Sequence, residues 1–113
     1  MQQSEGYLVA LETPEGEFSI RCKRNEFIWN AAARNGIRLP SICHQGRCLT
    51  CAGRLLSGTV DQSKADTFFP EDKAAGFVLL CTAKPCSDLR ILTHQQWVMR
   101  EHRVALGLPA PYS

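Results

Sequence analysis

Four cysteines constrain this chain more than any other feature of its sequence. Three of them, Cys43, Cys48 and Cys51, follow the pattern C-x4-C-x2-C, and Cys81 follows after a long interval. A short loop with three thiolates can wrap one side of a small metal centre, while the end of a distant strand supplies the fourth. The spacing matches the one in which four thiolates bind a 2Fe–2S cluster. The sequence therefore predicts a metal–thiolate centre assembled from two parts of the fold.

Other uses of cysteine fit this spacing less well. Structural zinc also takes four tetrahedral thiolates, but it usually binds two short pairs, and only Cys48 and Cys51 form one here. A Rieske centre needs two histidine ligands, and no histidine follows Cys51 at short spacing. A disulfide framework suits small secreted proteins, whereas the N-terminus lacks the character of a signal peptide. Dithiol redox chemistry at Cys48 and Cys51 leaves the other two cysteines unexplained. A four-cysteine zinc-binding interaction module stays open as the alternative from a different class.

Three segments around these cysteines resemble the plant-type 2Fe–2S ferredoxin family. They comprise residues 51–63, 75–81 and 85–94. The resemblance implies an α+β fold of the β-grasp (ubiquitin-like roll) type, with a mixed sheet and one main helix, to which this chain adds a C-terminal helix. It implies no catalytic residue and one bound 2Fe–2S cluster. The ligands that it implies are Cys43, Cys48, Cys51 and Cys81.

The function that the resemblance implies is one-electron transfer. We expect a soluble, monomeric carrier that passes electrons between redox proteins, namely a reductase and an electron-accepting enzyme. The ferredoxin subunit of a multicomponent oxygenase or reductase can use the same ligand spacing and is the nearest alternative. Because residues 1–5 are polar and have neither secretory nor transit character, we expect a cytoplasmic or plastid-stromal location and no secretion.

Length and composition exclude several other classes. The chain has 113 residues, which fits a single domain with a modest core. Its longest apolar runs fall far short of the ~20 residues that span a bilayer, so we expect no membrane insertion. The net charge is only +2, and we expect no nucleic-acid partner.

Charge separates this chain from the photosynthetic members of the family, which are strongly acidic. An oxidised cluster with its four thiolates carries about −2, so a holoprotein whose chain is +2 is close to neutral. Ile42 and Leu49 stand where the family often has serine, and Thr67 and Gln96 stand where it has an aromatic and an acidic contact residue. We therefore predict slow exchange with photosynthetic partners and little electrostatic steering.

Basic side chains near the ligands predict a raised reduction potential. Arg47 lies inside the cysteine loop, His44 beside Cys43, and Lys84 shortly after Cys81. A unit charge ~7 Å away at an effective dielectric constant of ~20 contributes roughly 2.4 kcal/mol, or about 100 mV for one electron. Water and salt reduce this to tens of millivolts per charge. We predict a potential above the approximately −400 mV of plant-type ferredoxins.

Local patterns predict the secondary structure. A hairpin is expected first, then a helix that Asn25 caps and Gly36 ends. Further strands and a helical turn follow the cysteine loop. The predicted strands are 7–13, 17–23, 51–57, 77–80 and 87–92, and the predicted helical segments are 27–34 and 70–75.

The last residues divide the chain into a ferredoxin domain, 1–94, and a C-terminal extension, 95–113. Thr93 and Gln96 have the spacing of a capping box, which predicts a helix in the extension. One stripe of that helix is expected to pack Trp97 on the domain, and a partner or dimer contact is the alternative. The stripe consists of Trp97, Glu101, Val104 and Leu108.

Two cysteines lie outside the predicted ligand set. Cys22 faces inward on a predicted strand, which favours a small core residue. Cys86 lies five residues after Cys81. Tuning of the cluster, a reactive surface thiol and a neutral replacement are all open for Cys86.

Overall fold

Strands outnumber helices in the part of the chain that a computed structural model describes, which is residues 6–40, 49–65 and 68–110. The predicted strands and helical segments are present, with bounds shifted by at most two residues, whereas β4 and β6 are too short to have been predicted. The strands are β1 (Tyr7–Thr13), β2 (Gly16–Cys22), β3 (Ala52–Ser57), β4 (Val60–Asp61), β5 (Phe77–Leu79), β6 (Lys84–Pro85) and β7 (Leu89–Leu92). The helices are α1 (Ile28–Arg34), α2 (Pro70–Ala74) and α3 (Gln96–Ala105).

Five strands form one mixed sheet in the order β2-β1-β7-β3-β5. The pairing of β1 with β7 is parallel, and the other pairings are antiparallel. Strands β4 and β6 pair separately as a small antiparallel ribbon. The central β7 therefore brings the end of the domain beside its beginning, in an α+β arrangement.

Helix α1 begins without a side-chain cap. The prediction that Asn25 caps it is wrong, because the N-cap is Phe27. The amide N–H groups of Ile28 and Trp29 instead donate to the carbonyl oxygens of Ala83 and Leu80, both at 2.9 Å. At the other end, Gly36 has φ 78°, as the predicted stop requires. The first turn of α1 therefore binds the chain on both sides of Cys81.

Two groups of buried side chains fill the interior. The sheet core lies between the sheet and α1, and the thiolate core lies around β3, β5 and α3. The sheet core contains Val9, Leu11, Ile20, Cys22, Ile28, Ala31, Ala32, Leu39, Val78, Leu80, Ala83, Leu89 and Ile91. The thiolate core contains Leu49, Cys51, Ala52, Phe77, Leu79, Cys81 and Met99.

Helix α3 packs through a different face from the one predicted. Trp97 and Val104 are 59% and 55% exposed, whereas Met99 and Arg103 are completely buried. The prediction that Trp97 packs on the domain is wrong, because the buried face is held by a charged contact that apolar periodicity does not detect. The capping prediction is also wrong, since Thr93 Oγ1 donates to the carbonyl oxygen of Glu12 at 3.2 Å and the N-cap is Gln95.

Candidate metal centre

Two of the four predicted ligands lie side by side in the thiolate core. The Sγ atoms of Cys51 and Cys81 are 3.1 Å apart, and both residues are almost fully buried. Cys51 immediately precedes β3, and Cys81 follows β5, so the antiparallel pairing of these strands sets the approach. Cys43 and Cys48 lie outside the described residues.

The pair fits a shared metal better than a disulfide. A disulfide needs a sulfur–sulfur distance of about 2.05 Å. Two thiolates on one tetrahedral metal, with metal–sulfur bonds of about 2.3 Å, lie about 3.7 Å apart. The two sulfur atoms, which are 3.1 Å apart, would have to separate only slightly to bind such a metal. Two further thiolates are needed to complete a two-iron cluster.

A tight turn presents Cys81. The amide of Thr82 donates to the carbonyl oxygen of Leu79 at 3.1 Å, which places Cys81 third in a four-residue β-turn. The amide of Leu80 donates to the carbonyl oxygen of Cys51 at 3.1 Å, directly linking the two ligand segments. The backbone around Cys81 is therefore held by hydrogen bonds within its own turn, from the Cys51 segment and from α1.

The Cys51 segment is fixed by close packing. The amide of Ala52 donates to the carbonyl oxygen of Leu49, and Leu49 itself is buried. A side chain at Gly53 would place its Cβ 3.0 Å from Ile91 Cγ2 and 3.2 Å from the carbonyl oxygen of Leu92. Glycine at this position therefore lets β3 lie close to β7 directly after the ligand. The apolar residue that departs from the family serine, Leu49, belongs to the thiolate core.

Of the three basic residues that were predicted to lie near the cluster, the structure describes Lys84. His44 and Arg47 lie outside the described residues. The ammonium of Lys84 lies over the Phe27 ring at 5.2 Å, and Arg54 lies over the Phe77 ring at 5.0 Å. The pKa of Asp61, opposite Lys84 in the small ribbon, is lowered mainly by the backbone and side chain of Ser63, with a smaller contribution from Lys84. The nearby acid thus offsets part of the charge of Lys84.

A buried ion pair borders the thiolate core. The Arg103 guanidinium donates to Asp72 Oδ2 at 2.7 Å through Nη2 and at 3.1 Å through Nε. Asp72 Oδ2 also accepts the amide of Phe69 at 3.0 Å, and His102 Nε2 lies 3.3 Å from Asp72 Oδ1. The pair fixes α3 to α2. Sequence reasoning missed it, because Arg103 lies away from the helix stripe that was predicted to pack.

The remaining cysteines occupy different environments. Cys22 is completely buried in the sheet core, as predicted, and its Sγ donates to the carbonyl oxygen of Glu26 at 3.3 Å. Burial, with a smaller contribution from Glu26, raises the pKa of the Cys22 thiol to about 12. Cys86 is exposed, and its backbone amide donates to the carbonyl oxygen of Thr59. Neither residue belongs to the thiolate core.

A mixed β-sheet that brings two buried thiols together at the start of β3 and after β5 is the arrangement expected of a metal–thiolate protein of the β-grasp class. The model of the 2Fe-2S iron-sulfur cluster binding domain matches residues 12–86. The chain belongs to this family. The predicted α+β, β-grasp fold and the resemblance to plant-type ferredoxins are confirmed, and the cofactor is a 2Fe–2S cluster rather than zinc.

Known relatives agree with this assignment. The chain is 41% identical over 78 residues to the heterocyst ferredoxin of Microchaete diplosiphon, covering 69% of this chain and 79% of that protein. It is 36% identical over 74 residues to the reductase subunit of an aromatic O-demethylase from Amycolatopsis, covering 64% of this chain and 22% of that protein. The solved structure of Pectocin M2 superposes with a TM-score of 0.72 at 27% identity, covering 89% of this chain and 40% of that one. The chain therefore spans less than half the length of that solved structure.

The comparisons establish the general function. The protein is an electron carrier with a 2Fe–2S cluster, not an enzyme. Within the residues that the structure covers, none of the helices has the length and apolar character to span a membrane.

Proposed function

We propose that this protein is a specialised one-electron carrier whose cluster is bound by Cys43, Cys48, Cys51 and Cys81. The observation that carries the proposal is the 3.1 Å approach of the Cys51 and Cys81 sulfurs, which come from the segment before β3 and the turn after β5. Cys43 and Cys48 precede Cys51 at the spacing that the other two ligands require. Bound there, the cluster would take up and release one electron. The chain would hold its sulfurs in a buried site and limit water access.

Ligand substitution tests the proposed set. We expect Cys51→Ser and Cys81→Ser to abolish or strongly alter the visible spectrum, because each removes a thiolate from iron. Cys22→Ser and Cys86→Ser are matched controls, since neither residue belongs to the thiolate core. Loss of the cluster in Cys86→Ser, together with its retention in Cys81→Ser, would refute the assignment.

We further propose that the reduction potential lies above the roughly −400 mV of plant-type ferredoxins. The reduced cluster gains a negative charge, and the chain is formally +2 rather than strongly acidic. Arg47 is adjacent to Cys48, and Lys84 lies three residues after Cys81. Redox titration of the holoprotein, beside Arg47→Gln and Lys84→Gln, tests this, with decreases of tens of millivolts expected. A midpoint at or below the plant-type value would contradict it.

The donor and acceptor are proposed to be redox proteins that do not rely on an acidic docking face. Exchange with a ferredoxin–NADP reductase should be slow and only weakly dependent on salt. Stopped-flow reduction at low and high ionic strength measures this. Fast exchange that collapses in salt would contradict the proposal. The location that fits such a carrier is the cytoplasm or a plastid stroma.

A second candidate is an electron-transfer component of a multicomponent oxygenase or reductase. Its support is the likeness to the reductase subunit of the aromatic O-demethylase, which covers 64% of this chain. An NADH-dependent flavoprotein reductase should then reduce the cluster faster than a photosynthetic donor does. Equal or slower reduction would favour the first candidate.

For the extension, we propose that residues 95–113 stabilise the ferredoxin domain 1–94. The support is that Met99 contributes to the thiolate core and that Arg103 pairs with Asp72. Deletion after residue 94 should therefore lower stability. A deletion that leaves stability unchanged but abolishes electron transfer to the partner would instead identify a docking element.

A further inference from the structure

The open edge of β5 is occupied by a side chain rather than by another strand. Strand β5 is the last strand of the five-stranded sheet, and within the described residues its backbone pairs along one edge only, with β3. The backbone of Leu79 points away from β3, since it is the next residue, Leu80, whose amide donates to Cys51. Unpaired backbone groups in a buried position are costly unless a partner is supplied.

Gln62 supplies that partner. Its Oε1 accepts the amide of Leu79 at 2.6 Å, and its Nε2 donates to the carbonyl oxygen of Leu79 at 3.4 Å. Its Nε2 also lies 3.5 Å from the hydroxyl of Thr82. The side-chain amide thus takes the place that the peptide group of a neighbouring strand would have. The orientation of the amide is fixed, because only its oxygen can accept the N–H of Leu79.

The residues that Gln62 contacts are those that shape the Cys81 turn. Leu79 and Thr82 are the first and last residues of the four-residue turn in which Cys81 is third. Gln62 contacts both ends of this turn from the solvent side of the sheet edge. The other side of the turn is held by α1 and by Cys51.

The segment that carries Gln62 is itself well fixed. Asp61 Oδ1 accepts the amide of Ser63 at 2.8 Å, and the amide of Ala65 donates to the carbonyl oxygen of Gln62 at 3.0 Å. Strand β4, which ends at Asp61, pairs with β6 just beyond Cys81. The side chain therefore extends from a rigid turn and can transmit that rigidity to its contacts.

We propose that Gln62 is a positioning residue for the cluster and holds the Cys81 turn in the geometry that the iron requires. This inference rests on the proposed assignment of Cys81 as a ligand. The proposed role of Gln62 requires no contact with the sulfurs. It acts through the backbone of Leu79 and the hydroxyl of Thr82.

The test compares the holoproteins of Gln62→Leu, Gln62→Glu and the control Lys64→Gln. Leucine removes all three hydrogen bonds of the Gln62 amide, and glutamate keeps an acceptor for Leu79 but loses the donor to Leu79 and Thr82. Lys64 is exposed on the same turn. The readouts are the electron paramagnetic resonance spectrum of the reduced cluster, its visible circular dichroism and the rate of cluster loss to a chelator.

We expect Gln62→Leu to release its cluster to the chelator faster than the wild type. The loss of each hydrogen bond that held the turn should raise the rate about fivefold. The resonance spectrum of the reduced cluster should shift as the Cys81 sulfur moves. Gln62→Glu should show a smaller change, and Lys64→Gln should match the wild type. If Gln62→Leu does not assemble a cluster, a shifted spectrum in Gln62→Glu still supports the inference, and a wild-type spectrum there overturns it.

Two outcomes separate this inference from the function on which it rests. Wild-type spectra and cluster lifetimes in both Gln62 variants would overturn the inference, even if Gln62→Leu lowered the melting temperature. In that case a cluster lost in Cys81→Ser would leave the ligand assignment intact. A wild-type cluster in Cys81→Ser would instead refute the ligand assignment itself.

Discussion

The sheet core and the thiolate core differ in the chemistry of the side chains that fill them. Apolar side chains and the neutral Cys22 thiol fill the sheet core. All of its members belong to the part of the sequence that runs from β1 to the end of β7. The thiolate core contains the two facing thiols of Cys51 and Cys81 and takes Met99 from the last helix. The buried Asp72–Arg103 pair lies at its border.

The difference suggests two kinds of stability within one small fold. The sheet core is stabilised by burial of apolar surface, which needs no cofactor. The thiolate core brings the Cys51 and Cys81 thiols together, and a metal bound there would stabilise it, because binding free energy adds to folding free energy. Loss of the cluster or of the C-terminal extension should therefore destabilise the thiolate core more than the sheet core.

Removal of the cluster should have the largest effect and should be unequal between the cores. We expect the apoprotein to lose on the order of several kcal/mol of stability. Amide hydrogen exchange should increase strongly at Leu79 and Met99 and much less at Val9 and Leu11. Equal loss of protection in both cores would contradict the distinction between them.

Arg103→Met should be the most damaging substitution outside the ligands. It leaves the Asp72 carboxylate buried without its cation, which costs about 3–5 kcal/mol in comparable cases. Urea denaturation of the holoprotein measures the effect. The double variant Asp72→Leu/Arg103→Met should recover much of the loss, although the amide of Phe69 then loses its acceptor. A single variant as stable as the wild type would show that the pair does not hold α3.

A matched pair of core truncations distinguishes the two cores. Ile28→Ala and Met99→Ala each remove a fully buried side chain, and each should cost about 2–5 kcal/mol. Only Met99→Ala should also accelerate loss of the cluster to a chelator, because Met99 lies in the thiolate core. Equal acceleration in the two variants would mean that cluster retention simply follows global stability.

Cys22 gives the sheet core a dependence on alkaline pH. The pKa of the thiol is near its ordinary value of 9.0 in the unfolded chain, and burial raises it to about 12 in the folded protein. The stabilisation from the buried neutral thiol is complete below pH 9 and is lost as the pH rises toward 12, since only the unfolded chain ionises in that window. The slope is about 1.4 kcal/mol per pH unit. Urea midpoints at pH 8 to 10 should fall more steeply for the wild type than for Cys22→Ala, and parallel curves would contradict this.

Trp97→Ala should have the smallest effect. The side chain is mostly exposed on the outer face of α3, and substitutions at such positions usually change stability by less than about 0.5 kcal/mol. Thermal unfolding measures this directly. A loss comparable to that of Met99→Ala would mean that the outer face of α3 also supports the domain.

The sequence predicted the sheet well because its signals are local. The alternation of apolar and polar residues in the second strand and the turn residues Thr13 to Gly16 predicted the hairpin. The spacing of Cys51 and Cys81 predicted two thiols that the fold does bring together. The face of α3 was predicted wrongly because apolar periodicity gives no weight to arginine. Arg103 is buried by its pairing with Asp72, which lies 31 residues earlier. Gln62 was missed for a similar reason, since a polar side chain that completes a sheet edge has no periodic signature.

The parallel pairing of β1 with β7 has a consequence for biosynthesis. The amide of Leu8 donates to Asp88, a contact across 80 residues. Strand β7 is the central strand, so β3 can pair only with β5 until almost the whole domain has been translated. At 5–20 residues per second, β7 emerges roughly 3 to 14 seconds after β2 is complete. During that interval the cysteines of the ligand loop are held by no closed sheet. We expect iron–sulfur delivery to act after β7 has joined the sheet.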